Sequence, residues 1–314
     1  MAIEVAISQI ASDNTSAALE ILQRAGAVFS RLRAAHQTEP EDLRQAQLTV
    51  LETCKALVCA QPDMGPILRL ASAAVSAAQT ATSARDALES TENEALRFVQ
   101  TAARAARAAA SQAASLIRNG STVLTHSRSS TVLAAFTEAR RTGTDFCVIA
   151  TESRPALEGR DLADQLSRQG THVTLIADAA ASLLMHKVDM VLVGADKITP
   201  MNVVNKIGTE MIALAARERG LPAYAVCDTS KFIAAEYNIQ SHRESGGADE
   251  LWKDVSNGVT IVNRYFEAVP LAYFSKIIME DGALTVEDTA RRAQRASINK
   301  AMLDAVDGLH EEIR

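Results

Sequence analysis

Apolar and polar positions follow two different rhythms along this 314-residue chain. Up to about residue 118 the apolar residues recur at three- and four-residue spacing in long Ala/Leu/Arg/Glu stretches, with no glycine other than Gly26 and Gly65. That periodicity predicts helices. Pro40, between Glu39 and Glu41, is read as opening one of them, Asp63 to Pro66 breaks the pattern, and Glu92 to Arg118 reads as a long Ala-rich helix stopped at Asn119-Gly120. From Ser121 to Phe232 the rhythm changes to short apolar runs that each end in polar residues: TVLTHSRSST, CVIATESRP, VTLIADAA, VLVGADKI and AYAVCDTSKF. Strands buried on both faces read as continuous apolar runs, and parallel neighbours need a crossover helix. Helical patterns over Thr131–Arg141, Gly159–Gln169, Ala179–His186 and Asn205–Arg219 supply those crossovers.

After Phe232 the polar stretch QSHRESGGADELWKDVSNG predicts a surface loop or lid, Val259–Val262 a further strand, NRYFEAVP a turn, YFSKIIME a short element, and the residues from Asp281 onward a helical tail. The tail's apolar positions suit packing either on its own domain or on a partner subunit. The fold class expected is therefore α/β: a helical N-terminal domain (1–118) followed by a parallel-sheet domain (119–314) carrying a helical tail. In open sheets of this kind ligands bind outside the carboxyl ends of the strands. His126, Ser127, Arg128, Glu152, Arg154, Asp178, Asp196, Asp228 and Lys231 are expected to face one crevice.

Composition narrows the chemistry. A formal charge of -6 argues against nucleic acid as a general partner. No apolar stretch reaches membrane-spanning length and none resembles a secretory leader, so a cytoplasmic location and no membrane contact are expected. The four cysteines form no CxxC pair and the six histidines no HExxH spacing, so neither a metal nor another cofactor is expected.

Within the crevice, Ser129, Ser130 and Thr131 follow a strand and open a helix, where hydroxyls and free N–H groups either cradle a phosphate beside Arg128 or simply cap the helix. Asp196 ends a strand after Gly194, a partly desolvated position suited to acid–base work, with a helix cap as the plain alternative. Asn205 and Lys206 are read as beginning the next helix, at its electropositive end. Glu152 and Arg154 are candidates for sugar contact or a surface ion pair, and Lys231 for reaching a phosphate. His126 is read as a core or orienting histidine, and Cys227, at a neighbouring strand end, either as a thiol supplied to the same crevice or, the preferred reading, as buried and inert.

The ordered set THSRSS (125–130), TESRP (151–155) with Gly159, GADKI (194–198), NKIGT (205–209) and SKF (230–232) resembles the superfamily of initiation factor 2B regulatory subunits and sugar-1-phosphate isomerases. The resemblance covers about Gly120 to Asp288 and implies a Rossmann-like C-terminal domain, a sugar phosphate in the crevice and a dimer formed through that domain. The family's enzymes, ribose-1,5-bisphosphate isomerase and methylthioribose-1-phosphate isomerase, convert an aldose 1-phosphate to a ketose 1-phosphate with a cysteine in a THC-type motif and the aspartate of GAD. Here the aspartate is Asp196 and the cysteine position falls on Ser127; the Arg-Gly-Ala type phosphate loop has no counterpart in residues 11–21, and TPMNVV stands after GAD. The resemblance thus leaves two expectations: an isomerase using Asp196 with Ser127 or Cys227 in the other role, or a non-catalytic sensor of sugar phosphates or nucleotides acting through protein partners.

Overall fold

The computed structural model describes residues 3–36, 42–237 and 247–312, and Pro40 lies outside them. Five helices come first: α1 (Ile3–Ala11), α2 (Ala18–Ala35), α3 (Leu43–Ala60), α4 (Gly65–Gln79) and α5 (Ala84–Ala114). Each buries an apolar stripe at helical spacing; that of α2 is Ile21, Leu22, Ala25, Val28, Phe29 and Leu32. Small residues bring the helices close: a methyl group on Gly26 would stand 2.6 Å from Val99 of α5.

With 31 residues, α5 is about 46 Å long. Its N-terminal part up to Ala102 (Ala87, Leu88, Ala95, Ala102) belongs to the helical core, whereas Ala109, Ala110, Ala113 and Ala114 cover a face of the sheet that follows.

That sheet is built from β1 (Thr122–Thr125), α6 (Ser130–Arg141), β2 (Cys147–Thr151), α7 (Glu158–Arg168), β3 (His172–Ile176), the short α8 (Ala181–Leu184) and β4 (Met190–Val193). The chain continues through β5 (Lys197–Ile198), β6 (Asn202–Lys206), α9 (Thr209–Glu218), β7 (Ala223–Val226), β8 (Phe266–Pro270), β9 (Lys276–Met279), β10 (Gly282–Leu284), α10 (Val286–Gln294) and α11 (Lys300–Glu312). The main sheet has the order β10-β9-β7-β4-β1-β2-β3 and is parallel except for β10. Successive strand residues face opposite ways. Val123, Val148, Met190, Leu192, Val226 and Ile278 pack under α5, α6 and α7, while Leu124, Ile149, Val191, Val193, Ala225 and Ile277 pack against α8, α9 and α10.

Four elements differ from the sequence reading. Asn205 and Lys206 do not begin a helix but end β6, which pairs with β5 and β8 in a small antiparallel sheet. The β-branched Val203 and Val204 favour that ladder, and the helix starts only after Gly208 turns the chain at φ +102°. Val259–Val262 forms no strand; the strand lies instead at Phe266–Pro270, where a turn was expected, because β6 offers an edge for it to pair with. Residues 282–284 form β10 against β9, and the helix begins at Val286, capped by the Thr285 hydroxyl 3.1 Å from Asp288 N. The tail then crosses to the other half of its own chain. Ile298, Met302 and Val306 join the core of α1–α5, and Asn299 is hydrogen bonded to Ser72, Ser76 and Gln79 of α4.

Candidate ligand-binding site

The carboxyl ends of the strands and the helical half enclose a cleft of about 780 Å³, its solvent mouth included. Asn14 to Leu19, Leu22, Met64, Pro66 and Ala106 form one wall, and residues 126–131, Glu158, Gly194 to Asp196, Asn205, Lys206, Asp228, Ser230 and Lys231 the other. Of the candidates taken from the sequence, Ser127, Arg128, Ser129, Ser130, Asp196, Asn205, Lys206 and Lys231 line it together.

The loop after β1 is held from several directions. His126 is buried, with Nε2 2.7 Å from Ile207 O and Nδ1 2.6 Å from Thr151 Oγ1. A carbonyl can only accept, so Nε2 carries the proton and Nδ1 accepts from the threonine hydroxyl. Burial pushes the imidazole pKa down, which keeps this orienting histidine neutral. Ser127 follows at φ +66°, in the left-handed region unusual for a residue with a side chain, and its N–H donates to Ser153 Oγ at 2.8 Å. Arg128 forms a two-pronged ion pair with Glu20 of α2, at 2.9 and 3.3 Å, linking the site loop to the helical wall.

Ser129 Oγ caps α6 through Val132 N at 3.3 Å, so the plain cap and the open helix start coexist. Gly194 makes room for that start: a methyl group there would lie 2.6 Å from Ser129 Oγ. The start of α9 is different, because Glu267 Oε1 from β8 accepts from both Gly208 N and Glu210 N at 2.8 Å.

Asp196 sits at the cleft floor, half-buried. Its backbone is fixed by Gly65 N donating to its carbonyl at 3.0 Å, while among the described residues its carboxylate makes no hydrogen bond. Burial raises its pKa; Lys231 and Lys206 oppose the rise and Asp63 and Glu158 reinforce it. Lys231 is buried to 7% exposure, and among the described residues its ammonium makes neither a hydrogen bond nor an ion pair. A raised carboxyl beside an uncommitted ammonium suits proton transfer next to an anion.

Opposite them, Lys206 Nζ pairs with Glu158 Oε1 at 2.9 Å with both side chains almost wholly buried, and lies 4.9 Å from the centre of the Tyr265 ring. Ser127 Oγ donates to the same Glu158 oxygen at 2.7 Å.

Three residues expected in the crevice stand outside it. Glu152 pairs with Arg160 at 2.6 Å; Arg154 is exposed and donates to Glu250 O at 3.1 Å; Asp178 accepts from Ser153 N and Arg154 N, both at 2.7 Å, and so pins the TESRP turn. The β2 loop bends away because Gly159 packs where a methyl group would meet Thr151 O at 1.9 Å, bringing Glu158 into the cleft in place of Glu152. Cys227 is fully buried and its thiol pKa is driven up by desolvation, so it supplies no thiolate. Glu158, Glu20 and Tyr265 were not anticipated; the one signal for Glu158 was its place beside Gly159 at a helix start. Among the described residues no group of His, Cys, Asp and Glu is arranged to hold a metal, and no helix is long and apolar enough to cross a membrane.

A parallel sheet whose carboxyl edge is closed by a helical half, with carboxylates and lysines converging in the cleft between them, defines an α/β protein with a polar cleft at its strand ends. The chain belongs to the initiation factor 2 subunit family, whose model matches residues 9–286. It is 39% identical over 178 residues to ribose 1,5-bisphosphate isomerase of Archaeoglobus fulgidus, across 54% of this chain and 56% of that protein. It is 37% identical over 190 residues to a putative translation initiation factor eIF-2B subunit 2-like protein of Pyrococcus horikoshii, across 60% and 66%. These alignments thus span a little over half to two thirds of the relatives' lengths. The crystal structure of translation initiation factor eIF-2B from Pyrococcus horikoshii superposes with a TM-score of 0.76 at 27% identity, over 90% of this chain and 96% of that one. That of 5-methylthioribose 1-phosphate isomerase from the same organism shares the fold, with a TM-score of 0.71 at 22% identity over 93% and 87%.

Proposed function

We propose that the cleft binds a sugar phosphate and isomerises an aldose 1-phosphate to the ketose 1-phosphate, with ribose 1,5-bisphosphate as the first substrate to test. The observation that carries this reading is Asp196, a half-buried carboxyl whose pKa burial raises and which makes no side-chain hydrogen bond among the described residues, on the same cleft as the Lys231 ammonium. An anomeric phosphate blocks spontaneous ring opening, so the ring oxygen must receive a proton as its bond to C1 breaks. A protonated Asp196 is suited to that step. Lys231, Arg128 and the open start of α6 at Ser129 and Ser130 bind phosphate, and Asn205 and Lys206 line the sugar side. Ser127 takes the second acid–base role. The relatives named ribose 1,5-bisphosphate isomerase favour this substrate class, and a homodimer formed through the C-terminal half is the assembly we propose.

One feature favours a second reading, in which the protein binds the sugar phosphate without turning it over: THSRSS places Ser127 where the resemblance to the isomerase family implies a cysteine. Incubation with α-ribose 1,5-bisphosphate, followed by NMR for ketose formation and by thermal shift for binding, separates the two. Conversion that is lost in Asp196→Asn supports the isomerase; stabilisation without conversion overturns it.

A further inference from the structure

Ser127, Glu158 and Lys206 come from three different elements yet share one contact point, the Glu158 Oε1 atom. A buried ion pair kept only to join β6 to α7 would be expected to use both carboxylate oxygens. Here one oxygen carries two donors, and Oε2, also buried, has no hydrogen-bond partner among the described residues. The group lies on the cleft wall rather than in the core. The serine is also presented unusually: Ser127 and Ser153 both adopt φ +66°, and the hydrogen bond from Ser127 N to Ser153 Oγ locks the two loops together. Side chains rarely occupy that backbone region, and such outliers collect at functional sites.

We propose that Ser127 and Glu158 form one proton-transfer unit, in which Glu158 accepts the serine's proton and Lys206 is its counter-ion. This rests on the isomerase reading and supplies the base that a serine alone lacks. As Asp196 protonates the ring oxygen and the C1–O bond breaks, Ser127 Oγ takes the proton from C2 while its own passes to Glu158. The electron pair of the C2–H bond becomes the C1=C2 double bond of an enol phosphate. The C2 hydroxyl then returns a proton to Asp196 as the C2 carbonyl forms, and the double-bond pair takes a proton at C1 from Ser127, which is refilled by Glu158. C2 is oxidised, C1 is reduced, and every protein group ends as it began.

Full-length Ser127→Ala, Glu158→Gln, Ser127→Cys and the Ser127→Cys/Glu158→Gln pair test this. Glutamine keeps the shape of Glu158 and can still bond Ser127, but it cannot take a proton. Glu158→Gln and Ser127→Ala should each lower kcat by roughly 100-fold or more with KM within about threefold. In the Ser127→Cys background, where a thiol ionises without help, Glu158→Gln should cost less than about fivefold. A Glu158→Gln enzyme within about threefold of wild type, or an equal loss in both backgrounds, overturns the proposal. A second arm needs no sugar chemistry: a fluorophosphonate forms an Oγ–P bond to an activated serine and releases fluoride. If the wild type turns over no sugar phosphate, the isomerase reading fails, and labelling decides this proposal alone. Mass-spectrometric labelling of Ser127 that disappears in Glu158→Gln sustains it, and an unlabelled Ser127 in the wild type, or equal labelling of both proteins, overturns it.

Discussion

The start of α6 follows β1 of the main sheet and that of α9 follows β6 of the small one, and both read in the sequence as positions where an anion would sit. In the folded chain they differ. The first opens into the cleft beside Lys231, with only Ser129 as a cap; the second is filled by the carboxylate of Glu267, which accepts from Gly208 N and Glu210 N. A helix start offers free N–H groups in either case, and what decides its use is whether another part of the chain reaches them first. Glu267 lies some sixty residues away in sequence, on a strand that exists only because β6 offers it an edge.

That contrast can be broken from either side. The largest effect is expected from Gly194→Ala, whose methyl group would lie 2.6 Å from Ser129 Oγ at the open start. Displacing that start should cost about 1–3 kcal/mol in denaturant unfolding and abolish sugar-phosphate binding in calorimetric titration; unchanged binding would show that the α6 start is not used. Glu267→Ala strands two N–H donors and should cost a comparable 1–3 kcal/mol, approximately. Sugar-phosphate affinity should nevertheless stay within about threefold, since the α9 start lies outside the binding site; tighter phosphate binding would mean the two starts are equivalent. Lys231→Met should weaken binding by about 10–100-fold, the worth of one charged hydrogen bond, with little loss of stability because among the described residues the ammonium makes no hydrogen bond or ion pair.

The smallest effect concerns pH. Burial holds the Asp196 carboxyl above its ordinary range, so the folded state binds this proton more tightly than the unfolded chain. Its contribution to stability is therefore fully present below the unfolded pKa of about 3.9 and is lost as pH rises through the folded value. Asp196→Asn should remove that loss, giving a flatter stability curve above the unfolded pKa and a slightly higher Tm at neutral pH than the wild type.

The main sheet and the helical half were legible because both are local patterns: apolar runs broken by polar ends, and stripes at helical spacing. Eight of the residues named as site candidates converge: six follow strands of the parallel sheet, which places its strand ends side by side, while Asn205 and Lys206 arrive from the end of the antiparallel β6. Glu152 and Arg154 were misplaced for a reason no periodicity carries: the close approach of Gly159 to Thr151 redirects the β2 loop and puts Glu158 in the cleft. Strand β8 was missed because FEAVP is short, holds a glutamate and a proline, and owes its form to β6. The tail's partner was equally hidden, since Ile298 and Met302 find their core in helices more than 200 residues earlier.

The proposed isomerisation of a sugar 1-phosphate by Asp196 and its cleft is tested most directly by NMR of α-ribose 1,5-bisphosphate incubated with the wild type and with Asp196→Asn. The wild type should produce the C2 ketone signal of the ketose bisphosphate, and the variant should bind the substrate with at least a roughly 100-fold lower rate of conversion. Binding by both proteins with conversion by neither would contradict the claim.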